Sequence, residues 1–325
     1  MLDNPSSAAA LERRAAADPE SPFLFWSRAW RWEWRSWQQV AVLTARWARD
    51  LAGLPAGARV GFAGDQYPEA MLLDMAVQTA GLTPVPVGVR PWPGEAGVEA
   101  AVRGAGCVAW VDGEVNGDIR VSRLAADGAE EETSREAAAG KGGVVWVRGA
   151  AGAWRAVRWG EVMAAAERVG RLVGAGVAAG KGKGRAKGRR NGTREIVVLG
   201  RSLGEEAGRL VAAWAVAAGA AVVAVEPEGM TAAAVWARPT VFCGGEEEVA
   251  ALRREIEGRP RRVGGRRWMG RTWGGQGARS AARRLPLGRL RVVLQEEPPG
   301  APEVAYWGGR GARLERLPEL GGGGL

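Results

Sequence analysis

The chain's 325 residues suffice for one large domain or two ordinary ones, and 46% hydrophobic residues can close a sizeable core. It contains no histidine, which excludes Ser-His-Asp triads, Cys-His dyads and His-ligated zinc; Cys107 and Cys243 lack metal-ligand spacing and fit a reducing cytosol as buried thiols. The net charge of +9 comes from two Gly-rich stretches, residues 181–194 with seven cations and 259–284 with nine arginines, neither holding an acid.

Those stretches read as solvated basic insertions, near 174–194 and 258–285, rather than as a nucleic-acid surface. Trp268 and Trp273 lie among the arginines, where they could stack on bases, but the chain has 16 tryptophans in all. Residues 1–20 have no apolar signal core. The longest apolar run, 210–225, is shorter than the roughly 18 residues of a membrane span. These features predict a cytoplasmic protein without a transmembrane segment.

Taken in chain order, residues 36–54 predict a helix: Trp37, Val40, Ala41, Thr44, Trp47 and Leu51 recur at helical spacing, and Pro55 and Gly57 end the run. Residues 59–63 predict a strand, 67–80 a helix with Pro68 in its first turn, 83–87 an extended segment, 94–104 a helix and 107–111 a strand. Residues 112–141 are polar, with Glu130, Glu131, Glu132 and Glu136, and read as a linker between halves. The second half predicts strands at 144–147, 195–199, 221–225, 240–243 and 290–294. Helices are predicted at 161–173, 205–218, 231–236 and 246–257. This alternation implies an α/β fold of two lobes, 1–135 and 136–320, each a mainly parallel sheet with helices on both faces.

The segment with chemical promise is Val144-Val145-Trp146-Val147-Arg148-Gly149-Ala150-Ala151-Gly152-Ala153-Trp154-Arg155. A β-branched strand, a turn with paired glycines, a cation and a following helix are the frame of a phosphate cradle. The hydroxyls and the Lys of such a cradle are replaced by Ala150, Ala151 and Arg155. Two readings stay open here. Gly149, Ala150, Ala151, Gly152 and Arg155 hold a phosphate through backbone N–H groups and one charge, or they form a plain turn beside a surface arginine. Trp154 reads as a packing residue.

Four blocks share an order with a known family. They are 31–40 (RWEWRSWQQV); 55–60 leading into Tyr67-Pro68-Glu69 and 80–87 (AGLTPVPV); 218–223 (AGAAVV) with 237–244 (ARPTVFCG); and 290–294 with 300–305 (GAPEVA). Over residues 20–310 this order resembles the large N-terminal domain of the adenylate-forming superfamily, in the style of long-chain acyl-CoA synthetases. The resemblance implies ATP and AMP as nucleotide ligands, a fatty acid or an acyl carrier as partner, and AMP-forming ligation as the reaction.

The departures are specific. The family loop T-S-G-T-T-G-x-P-K-G becomes residues 147–156, VRGAAGAWRA, keeping both glycines and losing the Ser, Thr, Pro and Lys side chains. The family's acyl-site turn falls near Glu205. Its G-Y-G-x-T-E motif, whose Glu binds magnesium, is replaced by residues 313–320, where Glu315 and Glu319 are the nearest acids. The sequence reaches Leu325 before the family's ribose-binding Asp, hinge and small C-terminal domain would appear. The resemblance therefore implies weak ATP or AMP contact, no formed magnesium site and no catalytic residue. The expected protein is an impaired binding or regulatory module, or a divergent ligase completed by a partner chain.

Overall fold

The computed structural model describes residues 6–28, 31–65, 68–88, 95–124, 144–148, 154–179, 195–225, 229–258 and 289–320. Helix α1 (Ser7–Ala17) starts at Ser6, whose hydroxyl accepts from the Ala9 N–H at 3.1 Å. Strands β1 (Pro22–Arg28) and β2 (Arg31–Ser36) form an antiparallel hairpin. Ser36 then opens α2 (Trp37–Asp50) with a capping box: its hydroxyl accepts from the Gln39 N–H, and its own N–H donates to Gln39 Oε1. The helical stripe read from the sequence is buried at Trp37, Val40, Thr44 and Trp47, and Trp37 stacks on Phe23 of β1 with centroids 3.8 Å apart.

The chain continues through β3 (Arg59–Ala63), α3 (Glu69–Thr79), β4 (Thr83–Val87), α4 (Glu95–Gly104), β5 (Ala109–Gly113) and β6 (Ile119–Arg123). These strands form a four-stranded sheet in the order β4-β3-β5-β6, parallel except at β5–β6. Gly81, at φ +72°, supplies the left-handed turn from α3 into β4. The stretch expected to be linker thus begins with a strand. Ile119 and Val121 alternate with exposed Arg120 and Ser122 and pack on the core, a period-two pattern too short to stand out among polar neighbours.

Strands β7 (Val144–Arg148) and β8 (Trp154–Arg158) form a second antiparallel hairpin, followed by α5 (Trp159–Ala179). Val144–Arg148, expected to lead through a turn into a helix, is therefore followed among the described residues by a second strand. Val145, Val147 and Val157 are buried on one face while Ala156 and Arg158 are exposed, so pairing with β7 keeps residues 154–158 extended before the helix begins.

The remaining elements are β9 (Ile196–Leu199), α6 (Glu206–Ala218), β10 (Ala221–Ala224), α7 (Met230–Ala237), β11 (Val241–Cys243), α8 (Glu246–Gly258), β12 (Val292–Gln295), α9 (Ala301–Gly308) and β13 (Arg313–Arg316). The large sheet has seven strands in the order β13-β12-β11-β9-β10-β1-β2, parallel except at β1–β2. Strands β10, β11 and β12 are buried at every position, as parallel strands covered on both faces must be. Val197, Leu199 and Val222 face one core with α1, α2, α3, α5 and α6. Val198 and Val223 face the other, under α7, α8 and α9. The expected α/β class, mainly parallel sheets flanked by helices, is the class observed. Sheet membership runs across the expected lobe boundary, because β1 pairs with β10 and places residues 22–36 in the large sheet. No helix among the described residues is long and apolar enough to cross a membrane.

Candidate functional site at the switch point of the large sheet

From β9 the chain steps to β10 on one side, then crosses back to β11 on the other. The carboxyl ends of β9 and β11 are therefore a topological switch point, where flanking loops diverge and open α/β sheets hold ligands. Residues 200–205 follow β9, residues 244–245 follow β11 and residues 296–300 follow β12.

One arginine organises this place. Arg201 Nε lies 3.1 Å from Glu205 Oε2, and its guanidinium also donates to the Glu296 carboxylate from the loop after β12. Burial alone would lower the Arg201 pKa, but Glu205 and Glu296, with Cys243 and Glu248 adding to them, raise it overall. Burial pushes the Glu205 carboxyl up against the opposing pull of Arg201, with Glu296, Glu248 and Asp65 adding to the rise. Glu248 Oε2 accepts from the Gly245 N–H at 2.8 Å, fixing the turn after β11. The thiol of Cys243 beneath this group is fully buried and pushed up to about 12 by burial, which keeps it protonated and unreactive.

The floor is filled by the chain itself. A Cβ built on Gly200 would lie 1.8 Å from Met230 Sδ and 2.5 Å from its Cγ. Met230, 1% exposed, thus occupies the space that glycine leaves at the end of β9. On the side of the four-stranded sheet, the Leu203 N–H donates to the Gly64 carbonyl at 2.9 Å, and a Cβ on Gly204 would lie 2.4 Å from the Pro86 carbonyl. The ends of β3 and β4 therefore close against the loop after β9.

Of the residues singled out in the sequence, Gly149, Ala150, Ala151 and Gly152 lie outside the described residues, as do the basic segments at 180–194 and 259–288. Arg155 is described: its Nη2 donates to Glu206 Oε2 and to the Leu320 carbonyl, each at 2.7 Å. Glu206 also accepts from the Leu320 N–H, so Arg155, Glu206 and Leu320 tie β8, the first turn of α6 and the segment after β13 together. Trp154 packs against the small core beside β4. Glu315 Oε1 accepts from Arg313 at 3.0 Å and Glu319 Oε1 from Arg316 at 2.6 Å. Both acids proposed near the magnesium position are thus engaged by arginines, and among the described residues no three acid or thiol side chains converge as a metal site.

Arg155 at the hairpin thus holds Glu206, and Arg201 at the crevice holds Glu205 and Glu296. The reading of the sequence reached Glu205 but missed Arg201, Met230 and Glu296. A usable signal was present: Gly200-Arg201-Ser202 directly follows a buried strand, where the switch-point rule places ligands.

The fold defined by these sheets is that of the large N-terminal domain of adenylate-forming enzymes. The chain is similar over 97% of its length to the N-terminal domain of FACL13 from Mycobacterium tuberculosis, with 12% identity, a TM-score of 0.62 and 75% of that chain covered. It is similar to IdnL1 at 16% identity and a TM-score of 0.64, with 97% of this chain and 61% of that one covered. The O-succinylbenzoate coenzyme A synthetase of Bacillus subtilis, solved in complex with AMP, aligns at 12% identity and a TM-score of 0.57, covering 94% of this chain and 71% of that one. No protein-family model and no curated protein matches the sequence.

Proposed function

We propose that the protein keeps an adenylate-forming fold as a binding or regulatory module and does not form acyl-adenylates. The observation that carries this reading is the engagement of Arg155. The one cation in the place of the loop Lys is held by Glu206 and the Leu320 carbonyl. A polyphosphate would have to displace a carboxylate to reach it, which removes most of the gain. The Arg201–Glu205–Glu296 group and the Met230 side chain support the same reading at the switch point. Residual ATP or AMP contact through backbone N–H groups near Gly149 and Gly152 would be weak, with a Kd of roughly millimolar order. A fatty acid or an acyl carrier is the partner class this fold suggests. A cytoplasmic location fits two free, buried cysteines.

The test is acyl-dependent pyrophosphate exchange on the purified chain, with ATP and AMP calorimetry beside it. The expected result is no exchange above background and weak binding that falls with added salt. Robust exchange with any fatty or aryl acid sinks the reading. It would favour the second one, a divergent AMP-forming acyl-CoA or acyl-carrier ligase completed by a partner chain. The observation on that side is the intact frame: hairpin, following helix and switch-point crevice.

A further inference from the structure

Strand β2 ends the seven-stranded sheet, and among the described residues only β1 pairs with it. Its sequence alternates as Arg31-Trp32-Glu33-Trp34-Arg35-Ser36, so the tryptophans take one face of the sheet and the charges the other. On the aromatic face Trp32 stacks on Trp236 of α7, with centroids 3.8 Å apart and planes at 6°. Phe25 of β1 lies 6.1 Å edge-on to Trp236 and 6.5 Å from Trp34. Trp34 and Trp236 are each 46% exposed. A sheet edge that is open among the described residues, beside an exposed aromatic layer, is a surface built for contact.

We propose that β2 pairs antiparallel with β2 of a second copy of this chain, about a two-fold axis through Trp34. Such an axis, perpendicular to the sheet, keeps every side chain on its own face, so only registers that match face to face are open. Centring the pair on Glu33 would set Arg31 against Arg35 of the partner subunit and Glu33 against its own copy, like against like. Centring it on Trp34 sets Glu33 opposite Arg35 of the partner subunit, the reciprocal pair opposite each other, and Trp34 on its own copy. The charges on the strand are thus self-complementary at the register that also covers the exposed indole. Trp32 is not at the axis because Trp236 already covers it. Arg35 donates to Asn116 and lies 5.6 Å over the Trp26 ring, and its five-donor fork leaves N–H groups for a second carboxylate.

The test is sedimentation equilibrium of the full chain over a wide concentration range, with circular dichroism as the folding control. The wild type should dimerise. Glu33→Arg places cation against cation twice and should weaken the dimer by about tenfold or more. The charge swap Glu33→Arg with Arg35→Glu should restore it towards wild type, and Trp34→Arg should leave folded monomer. A wild-type chain that is monomeric throughout overturns the proposal. So does a dimer indifferent to Glu33→Arg and Trp34→Arg, or a swap as weak as the single change.

Discussion

Arg209 of α6 donates to the Asp74 carboxylate of α3, and both side chains are almost fully buried, 1% and 6% exposed. Gln78 Nε2 donates to the other Asp74 oxygen at 2.7 Å, and the guanidinium lies 5.7 Å over the Trp159 ring. An ion pair so enclosed contributes through its completeness. Either partner alone would be a charge with neither water nor counter-ion.

Arg209→Met should therefore cost about 3–5 kcal/mol at neutral pH, read by urea denaturation. Burial raises Asp74 above the ordinary value of 3.8, and Arg209 opposes that rise. Without Arg209 the folded carboxyl rises further. The folded state then holds a proton that the unfolded chain releases, so stability is fully present below the unfolded value and is lost as pH rises through the folded one. The penalty should shrink on acidification. Asp74→Leu with Arg209→Met should come back to within about 1–2 kcal/mol of wild type. A penalty relative to wild type that grows on acidification would contradict this account.

Arg155→Ala should act on the scaffold before it acts on any ligand. It removes a half-exposed ion pair and one hydrogen bond to the Leu320 carbonyl. A loss of about 1 kcal/mol is expected after solvent screening. Nucleotide affinity should change little, because the cation is already spoken for. A calorimetric ATP affinity that drops severalfold while stability stays put would return Arg155 to the role of phosphate ligand.

Gly200→Ala should destabilise by about 1–3 kcal/mol, since the new methyl must share space with a buried thioether. Shortening that side chain in the same molecule tests the cause. Gly200→Ala with Met230→Ala should lose less than the two single changes add up to, a coupling measured by a double-mutant cycle. Strict additivity would mean that Gly200 is required for some other reason.

Short-range pattern carried much of the fold. Arg59–Ala63 coincides with the strand read there and Thr83–Val87 with the extended segment, and α2, α3 and α6 fall on helices read from the sequence. What stayed hidden depends on distant pairing. Trp154–Arg158 buries only Val157 fully and becomes a strand through β7. Residues 22–36 gain their place from β10, which no local signal announces. The crevice was legible at Glu205 through resemblance, but the Arg201–Glu296 pair joins residues 95 positions apart. Nothing in a single sequence links two such side chains before the sheet order is known.

The position of β1 has a consequence for how the protein is made. Leu24 and Phe25 leave the ribosome about 200 residues before their parallel neighbours, Val222 and Val223. At synthesis rates of roughly 5–20 residues per second, the nascent hairpin waits on the order of ten to forty seconds for its partner. The four strands between Arg59 and Arg123 have no such delay and can assemble while the rest is still being translated. During that interval Phe23 already has Trp37 to stack on, while Phe25, whose neighbours Val223 and Trp236 come later, is an orphan that chaperones would be expected to shield. Truncated chains released before Ala221 would carry Phe25 without that cover.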